Sequence, residues 1–190
     1  MSVAQNRSMS MAEFLEWEER QETKYEFDGF EPVAMVGVTW AHGAIQLNIL
    51  TALNIRLRGR PCRPQGSDVK IEVAGRIRYP DAFVVCSPRS SNDKVVTDPV
   101  VIFEILSEGT YRRDRITKNE EYRQTPSVQR YVMLEQDEPA ATVFAREGDR
   151  WVGTLHKGDA VLAMPEIGIE VPLAEFYEGV EFAGPELPAV

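Results

Sequence analysis

The residues best equipped to do chemistry in this chain are a strand glutamate, an aspartate and a helix lysine. Glu104 stands inside Val100-Val101-Ile102-Phe103-Glu104-Ile105-Leu106, and an ionised carboxylate in a buried strand costs several kcal/mol unless a partner compensates it. Asp81 follows Pro80 and opens the apolar stretch Ala82-Phe83-Val84-Val85, so its strand also passes from polar surroundings into core. If the two strands are neighbours, their carboxylates meet at one sheet end. Two such groups either share a proton or bind a cation, and oxygen-only ligands favour magnesium or manganese. Lys118 lies on the helix expected after the Glu104 strand, with Asp114 and Tyr122 at i−4 and i+4, so all three share one face. Singly, each has a plainer reading: Asp114 and Lys118 as a surface ion pair, Tyr122 as a core anchor, Glu104 as half of a structural ion pair. The whole set is rarer than any member.

The elements that must position these groups follow from hydrophobic spacing and turn chemistry. Ser10 with Glu13 is a capping-box pattern that starts a helix over about 11–22. Segments 24–27 and 30–35 flank Asp28-Gly29 as a hairpin, with Pro32 marking an edge strand. From Ala41, the positions Ile45, Ile49, Leu53 and Leu57 recur every four residues up to Gly59, which predicts a long amphipathic helix. A second hairpin turns at Ala74-Gly75, its return strand expected to run on through Asp81 to Cys86. Segment 100–106 is the most apolar and should be central. A loop at 107–110 carries Gly109, a polar helix covers 113–124, and 129–134 is a strand. Turns at Glu147-Gly148-Asp149 and Lys157-Gly158-Asp159 separate the strands of a C-terminal β-meander, followed by a helical turn at 173–177. The expected fold class is α+β: a mixed β-sheet flanked by helices, with added β-hairpins. One domain over 11–182 is expected, with flexible ends at 1–10 and 183–190.

Composition sets the outer bounds. The 190 residues carry 21 basic and 30 acidic side chains, a net charge of −9, with 43% hydrophobic residues, which is ordinary globular usage. No apolar run approaches the ~20 residues needed to span a bilayer and no secretory leader is visible, so a cytoplasmic protein without membrane attachment is expected. His42 and His156 are the only histidines, which excludes HExxH zinc chemistry. GxSxG, GxxxxGK[ST] and GxGxxG signatures are absent. Cys62 and Cys86 are too few for a disulfide framework or a zinc site and are expected to be inert thiols. The charge is uneven: residues 54–80 hold 7 basic and 2 acidic side chains, and 131–190 hold 3 and 12. Arg56, Arg58, Arg60, Arg63, Lys70, Arg76 and Arg78, with Arg112, Arg113, Arg115, Lys118 and Arg123 beyond, make either a local phosphate-contacting face or a solvated rim.

Taken in order, Tyr25-Glu26-Phe27-Asp28-Gly29, Ala41-His42-Gly43, Tyr79-Pro80-Asp81, Phe103-Glu104-Ile105-Leu106-Ser107, and Arg113-Asp114-Arg115 leading to Lys118 and Tyr122 resemble the Uma-two family of restriction endonuclease-like proteins, a branch of the PD-(D/E)XK nuclease superfamily. The similarity covers about residues 11–182. It implies a restriction endonuclease-like core in which Asp81 and Glu104, with the Ile105 carbonyl, hold a magnesium or manganese ion that activates water against a DNA phosphodiester. The superfamily pattern is Pro-Asp on one strand and Glu-x-Lys on the next. Leu106 occupies the lysine position here, and the resemblance implies that Lys118 supplies the amine from the following helix. It further implies that Glu26 completes the metal shell and that His42 and Tyr122 position backbone or water. For Glu26 a solvent-exposed hairpin side chain is the alternative, and for His42 a capping or packing role at a helix start.

Three functions remain distinct. One is a metal-dependent endonuclease acting on DNA, with a homodimer expected because cutting both strands uses two sites. Another is a weak or inactive nuclease-fold module that binds nucleic acid or a protein. The third is a structural dimer in which Glu104 pairs with Lys118 and no metal enters.

Overall fold

The computed structural model describes residues 8–35, 37–107 and 113–182; Gly109, Arg112 and most of the two expected flexible ends lie outside them. Helix α1 (Met11–Glu18) begins with the expected capping box: Ser10 Oγ accepts from the Glu13 N–H and the Glu13 carboxylate accepts from the Ser10 N–H. It stops before the expected residue 22. Strands β1 (Tyr25–Phe27) and β2 (Pro32–Ala34) form the first hairpin, with β2 at a sheet edge. Asp28-Gly29 opens a four-residue loop rather than a two-residue turn, because Asp28 Oδ1 accepts from the N–H groups of Phe30 and Glu31, both at 2.9 Å, an Asx-type closure.

Helix α2 (Trp40–Leu57) is capped by Thr39, whose hydroxyl accepts from the His42 N–H, and buries Ile45, Ile49, Leu53 and Leu57. It is followed by β3 (Arg63–Gly66), β4 (Lys70–Val73), β5 (Arg76–Arg78), β6 (Ala82–Val85), β7 (Val95–Val96) and β8 (Val101–Ile105). A π-helical segment, Arg113–Lys118, runs directly into α3 (Asn119–Gln124). Then come β9 (Arg130–Leu134), β10 (Ala140–Glu147), β11 (Arg150–Lys157), β12 (Val161–Met164), β13 (Ile169–Pro172) and a 3₁₀ turn, Leu173–Tyr177.

Two larger sheets result. The smaller has the order β2-β1-β5-β4-β7 and the larger β11-β10-β9-β8-β6-β3, while β12 and β13 pair separately. As expected, β8 is central, antiparallel to β6 and parallel to β9. Two expectations are corrected. The return strand does not run from Arg76 to Cys86: Tyr79-Pro80-Asp81 takes the chain out of the small sheet and into the large one, since Pro80 has no N–H for a ladder. The C-terminal strands are not one meander, because β10 and β11 extend the large sheet while β12 and β13 form their own.

Core lies on both faces of the large sheet. One face packs Ala82, Val84, Val101, Phe103, Ile105, Val132 and Leu134 against α2 and the β12–β13 pair. The other packs Phe83, Ile102, Leu106, Tyr131 and Met133 against Tyr122 of α3 and Ile71 and Val73 of the small sheet. Cys62 and Cys86 form a disulfide, contrary to the expected thiols. They flank the β3–β6 ladder, in which Arg63 pairs with Val85, so the next register step places them opposite each other.

Candidate active site

Asp81 and Glu104 meet because of register. Ala82 pairs with Phe103 at the end of the β6–β8 ladder, and one further step sets Asp81 opposite Glu104, where side chains of an antiparallel pair share a face. Asp81 is held on both oxygens: the His42 ring Nε2–H donates to Oδ1 at 2.8 Å and the Ile105 backbone N–H donates to Oδ2 at 2.7 Å. His42 reaches it from the first turn of α2. Ile105 follows Glu104, so one strand end fixes both carboxylates.

Glu104 is 4% exposed. Its Oε1 accepts from the Lys118 ammonium at 2.8 Å and from the Tyr122 hydroxyl at 3.0 Å. Lys118 is equally buried and also lies 3.2 Å from Asp114 Oδ1 and 3.3 Å from Glu26 Oε1. The π-helical turn carries Asp114 and Lys118 inward together, and α3 delivers Tyr122, whose ring meets Tyr131 edge-on at 4.7 Å. Glu26 is buried, not a solvent-facing hairpin side chain. It accepts from the Tyr79 N–H and faces Arg113 at 3.4 Å and Arg78 at 3.7 Å.

Burial pushes the Glu104 carboxyl well above the usual carboxylate range; Asp114, Asp81 and Glu26 push the same way while the Lys118 ammonium pulls it down. For Lys118, burial works against the charge, yet Glu104, Glu26 and Asp114 raise its pKa well above that of an ordinary lysine. Burial also opposes ionisation of Glu26, but Lys118, Arg78, the Tyr79 N–H and Arg113 together hold it below the usual range. Burial beside Glu104 raises Tyr122.

All six predicted side chains thus converge, in two linked groups: His42, Asp81 and the Ile105 N–H, and then Glu104, Lys118, Tyr122 and Glu26. Sequence reasoning named Arg78 only as part of a basic segment and missed its buried role: it is 1% exposed and forms a bidentate pair with Glu121, at 2.8 and 2.7 Å. Its only signal was a charge alternating with Ile77 and Tyr79. Part of the basic segment is tied up within the protein, while Arg58, Arg60 and Arg63 stay on the surface. Lys70 is buried on Glu18 at 2.6 Å, Arg78 lies on Glu121, Arg56 pairs with Glu175, and Arg60 donates to the Gly168 carbonyl.

Among the described residues, no three His, Cys, Asp or Glu side chains form a ready cation cage. The donor set nonetheless fits a divalent ion: hard carboxylate oxygens from adjoining strands, with more negative charge nearby than one ammonium balances.

A mixed sheet covered by helices, with Asp81 and Glu104 at the joined ends of neighbouring strands, defines a restriction endonuclease-like protein. Residues 11–174 match the family model Uma2, described as "Putative restriction endonuclease", and the chain belongs to that family. It is 29% identical to the uncharacterized protein slr1290 of Synechocystis sp. (strain ATCC 27184 / PCC 6803 / Kazusa), covering 92% of this chain and 94% of that protein. It is 28% identical to sll1609 of the same organism, covering 84% and 93%. The crystal structure of a "putative nuclease belonging to DUF820" from Anabaena variabilis ATCC 29413 superposes with a TM-score of 0.74 at 18% identity, covering 90% of this chain and 98% of that one, a likeness of fold.

Proposed function

We propose that this cleft is the active site of a metal-dependent endonuclease that hydrolyses DNA phosphodiester bonds. The observation that carries the reading is the facing pair Asp81 and Glu104 with the Lys118 ammonium 2.8 Å from Glu104. Asp81, Glu104 and the Ile105 carbonyl would hold magnesium or manganese, which when bound polarises the phosphodiester and makes water a better nucleophile at neutral pH. The chain's own groups do the positioning. His42 and the Ile105 N–H fix both oxygens of Asp81, Tyr122 orients Glu104, and Glu26 and Asp114 keep Lys118 charged. The ammonium then stabilises charge that grows on the phosphate oxygens during attack. Two copies acting together would cut both strands, which makes a cytoplasmic homodimer part of the proposal.

Wild type, Asp81→Asn and Lys118→Ala are incubated with plasmid, linear and single-stranded DNA plus magnesium or manganese. Cutting that both substitutions abolish is the expected result, and cutting that survives in both would reject the assignment. One observation favours a second reading, a structural dimer that no metal enters: Lys118 already neutralises Glu104 directly. Calorimetry separates the two, since that reading requires no magnesium uptake, or equal uptake by wild type and Asp81→Ala.

A further inference from the structure

Three of the four outer edges of the two larger sheets are shielded. In the five-stranded sheet the outer strands are β2, which contains Pro32, and β7, which is two residues long. In the six-stranded sheet β3 carries Pro64 and lies beside the disulfide. The opposite edge, β11, is open. It runs over Arg150–Lys157 in unbroken register with β10, and its stretch Trp151-Val152-Gly153-Thr154-Leu155-His156 holds no proline, lysine or acid, the residues that guard an exposed edge. Leu155 is 60% exposed, and no third strand pairs with β11 among the described residues.

The hairpin fixes which groups face outward. Glu147 and Arg150 pair across the two-residue turn Gly148-Asp149, which makes them a hydrogen-bonded pair. Bonding to β10 therefore falls on the even-numbered residues of β11. In agreement, the N–H of Arg146, which stands opposite Trp151, donates to the Gln129 carbonyl on the β9 side. The N–H and C=O groups of Trp151, Gly153 and Leu155 point away from the sheet.

We propose that β11 pairs antiparallel with β11 of a second copy about a two-fold axis at Gly153. The inference gives an interface to the dimer put forward above; it rests on that reading for the dimer and not for the chemistry. An edge that meets itself must be self-complementary, and this register is. Trp151 of one copy lies opposite Leu155 of the other, and Asp149 opposite Lys157, each twice by symmetry. The exposed Leu155 thereby gains a cross-strand aromatic partner, an indole that already stacks on Phe144. Asp149 brings a carboxylate to the Lys157 ammonium, which within one copy reaches Glu138 at 2.7 Å. Gly153 faces its own copy at the axis, where the Phe144 ring leaves no room for a side chain: its nearest carbon is 2.7 Å from where a Cβ would stand. Neighbouring registers are worse. An axis at Thr154 sets Asp149 against Asp159 and Trp151 against Lys157, and one at Val152 sets Asp149 against Leu155.

The test uses the full chain. Light scattering over a range of concentrations gives the mass of wild type, Leu155→Lys, Asp149→Lys and Lys157→Asp, and of the last two mixed in equal amounts. Urea midpoints check that each variant folds, and magnesium-dependent DNA cutting is measured alongside. Wild type should be a dimer, and each substitution should raise its dissociation constant about tenfold. The mixture should regain the wild-type mass, because every facing pair is then Lys with Asp. A wild-type monomer or larger assembly, a dimer insensitive to Leu155→Lys, or two folded charge reversals whose mixture stays monomeric would each overturn the proposal. A dimer that responds as expected but cuts no DNA would leave this interface standing and remove the nuclease.

Discussion

Lys118 faces more negative charge than it carries: Glu104, Asp114 and Glu26 all lie within 3.3 Å of one ammonium. Removing it strands buried carboxylates, so Lys118→Met should lower unfolding free energy by about 3–5 kcal/mol at neutral pH, read from the urea midpoint. The surrounding acids differ in sign. Glu26 is held below its ordinary value of 4.5, so its contribution is complete above that pH and is lost as pH falls through the lower folded value. Glu104 is raised, so its contribution is present below 4.5 and is lost as pH rises through the raised value. Urea midpoints across pH should show Glu26→Gln flattening the acid limb and Glu104→Gln gaining on wild type as pH rises. Glu104 and Lys118 were legible in the sequence because a charge inside Val-Val-Ile-Phe demands a partner and i±4 spacing supplies candidates. Arg78 was not legible, because its partner Glu121 is remote in sequence and only tertiary packing buries them together.

At the level of elements, the disulfide closes the β3–β6 edge beside the strand that Asp81 enters. Closing a span of 24 residues restricts the unfolded chain by about 3 kcal/mol in the chain-entropy account. Reduction, or Cys62→Ser with Cys86→Ser, should cost a similar amount in unfolding free energy, and an unchanged urea midpoint would contradict that. The sequence signalled α2 and β8 well, through four-residue apolar spacing and an uninterrupted apolar run. It concealed β3, because Pro64 and an alternation of exposed and half-buried residues lack the marks of a strand. It also concealed the change of sheet at Pro80, since the joint is short and the alternating Arg76-Ile77-Arg78 of β5 reads on into the apolar run of β6. The cysteines were misjudged for a similar reason: two in 190 say nothing of pairing until β3 and β6 are known to be neighbours.

For the whole molecule, acidity and the internal pairing of many of its arginines set how DNA would be held under the proposed function. Few guanidiniums remain for phosphates, so log affinity for duplex DNA should fall with log salt at a slope of about −2 to −3, far shallower than a protein with ten phosphate contacts shows. Titrations at several salt concentrations check this. No helix among the described residues is long and apolar enough to cross a membrane. The Tyr79-Pro80-Asp81 joint has one more consequence, for the way the protein fails on warming. Glu26 and Arg78 ride on the five-stranded sheet, whereas Asp81 and Glu104 belong to the six-stranded one. If the smaller sheet melts locally ahead of the larger, Lys118 is left with Glu104 and Asp114 alone while most of the core survives. Inactivation would then precede the calorimetric transition, with amide protons of β1 and β5 exchanging at temperatures where those of β8 and β9 stay protected.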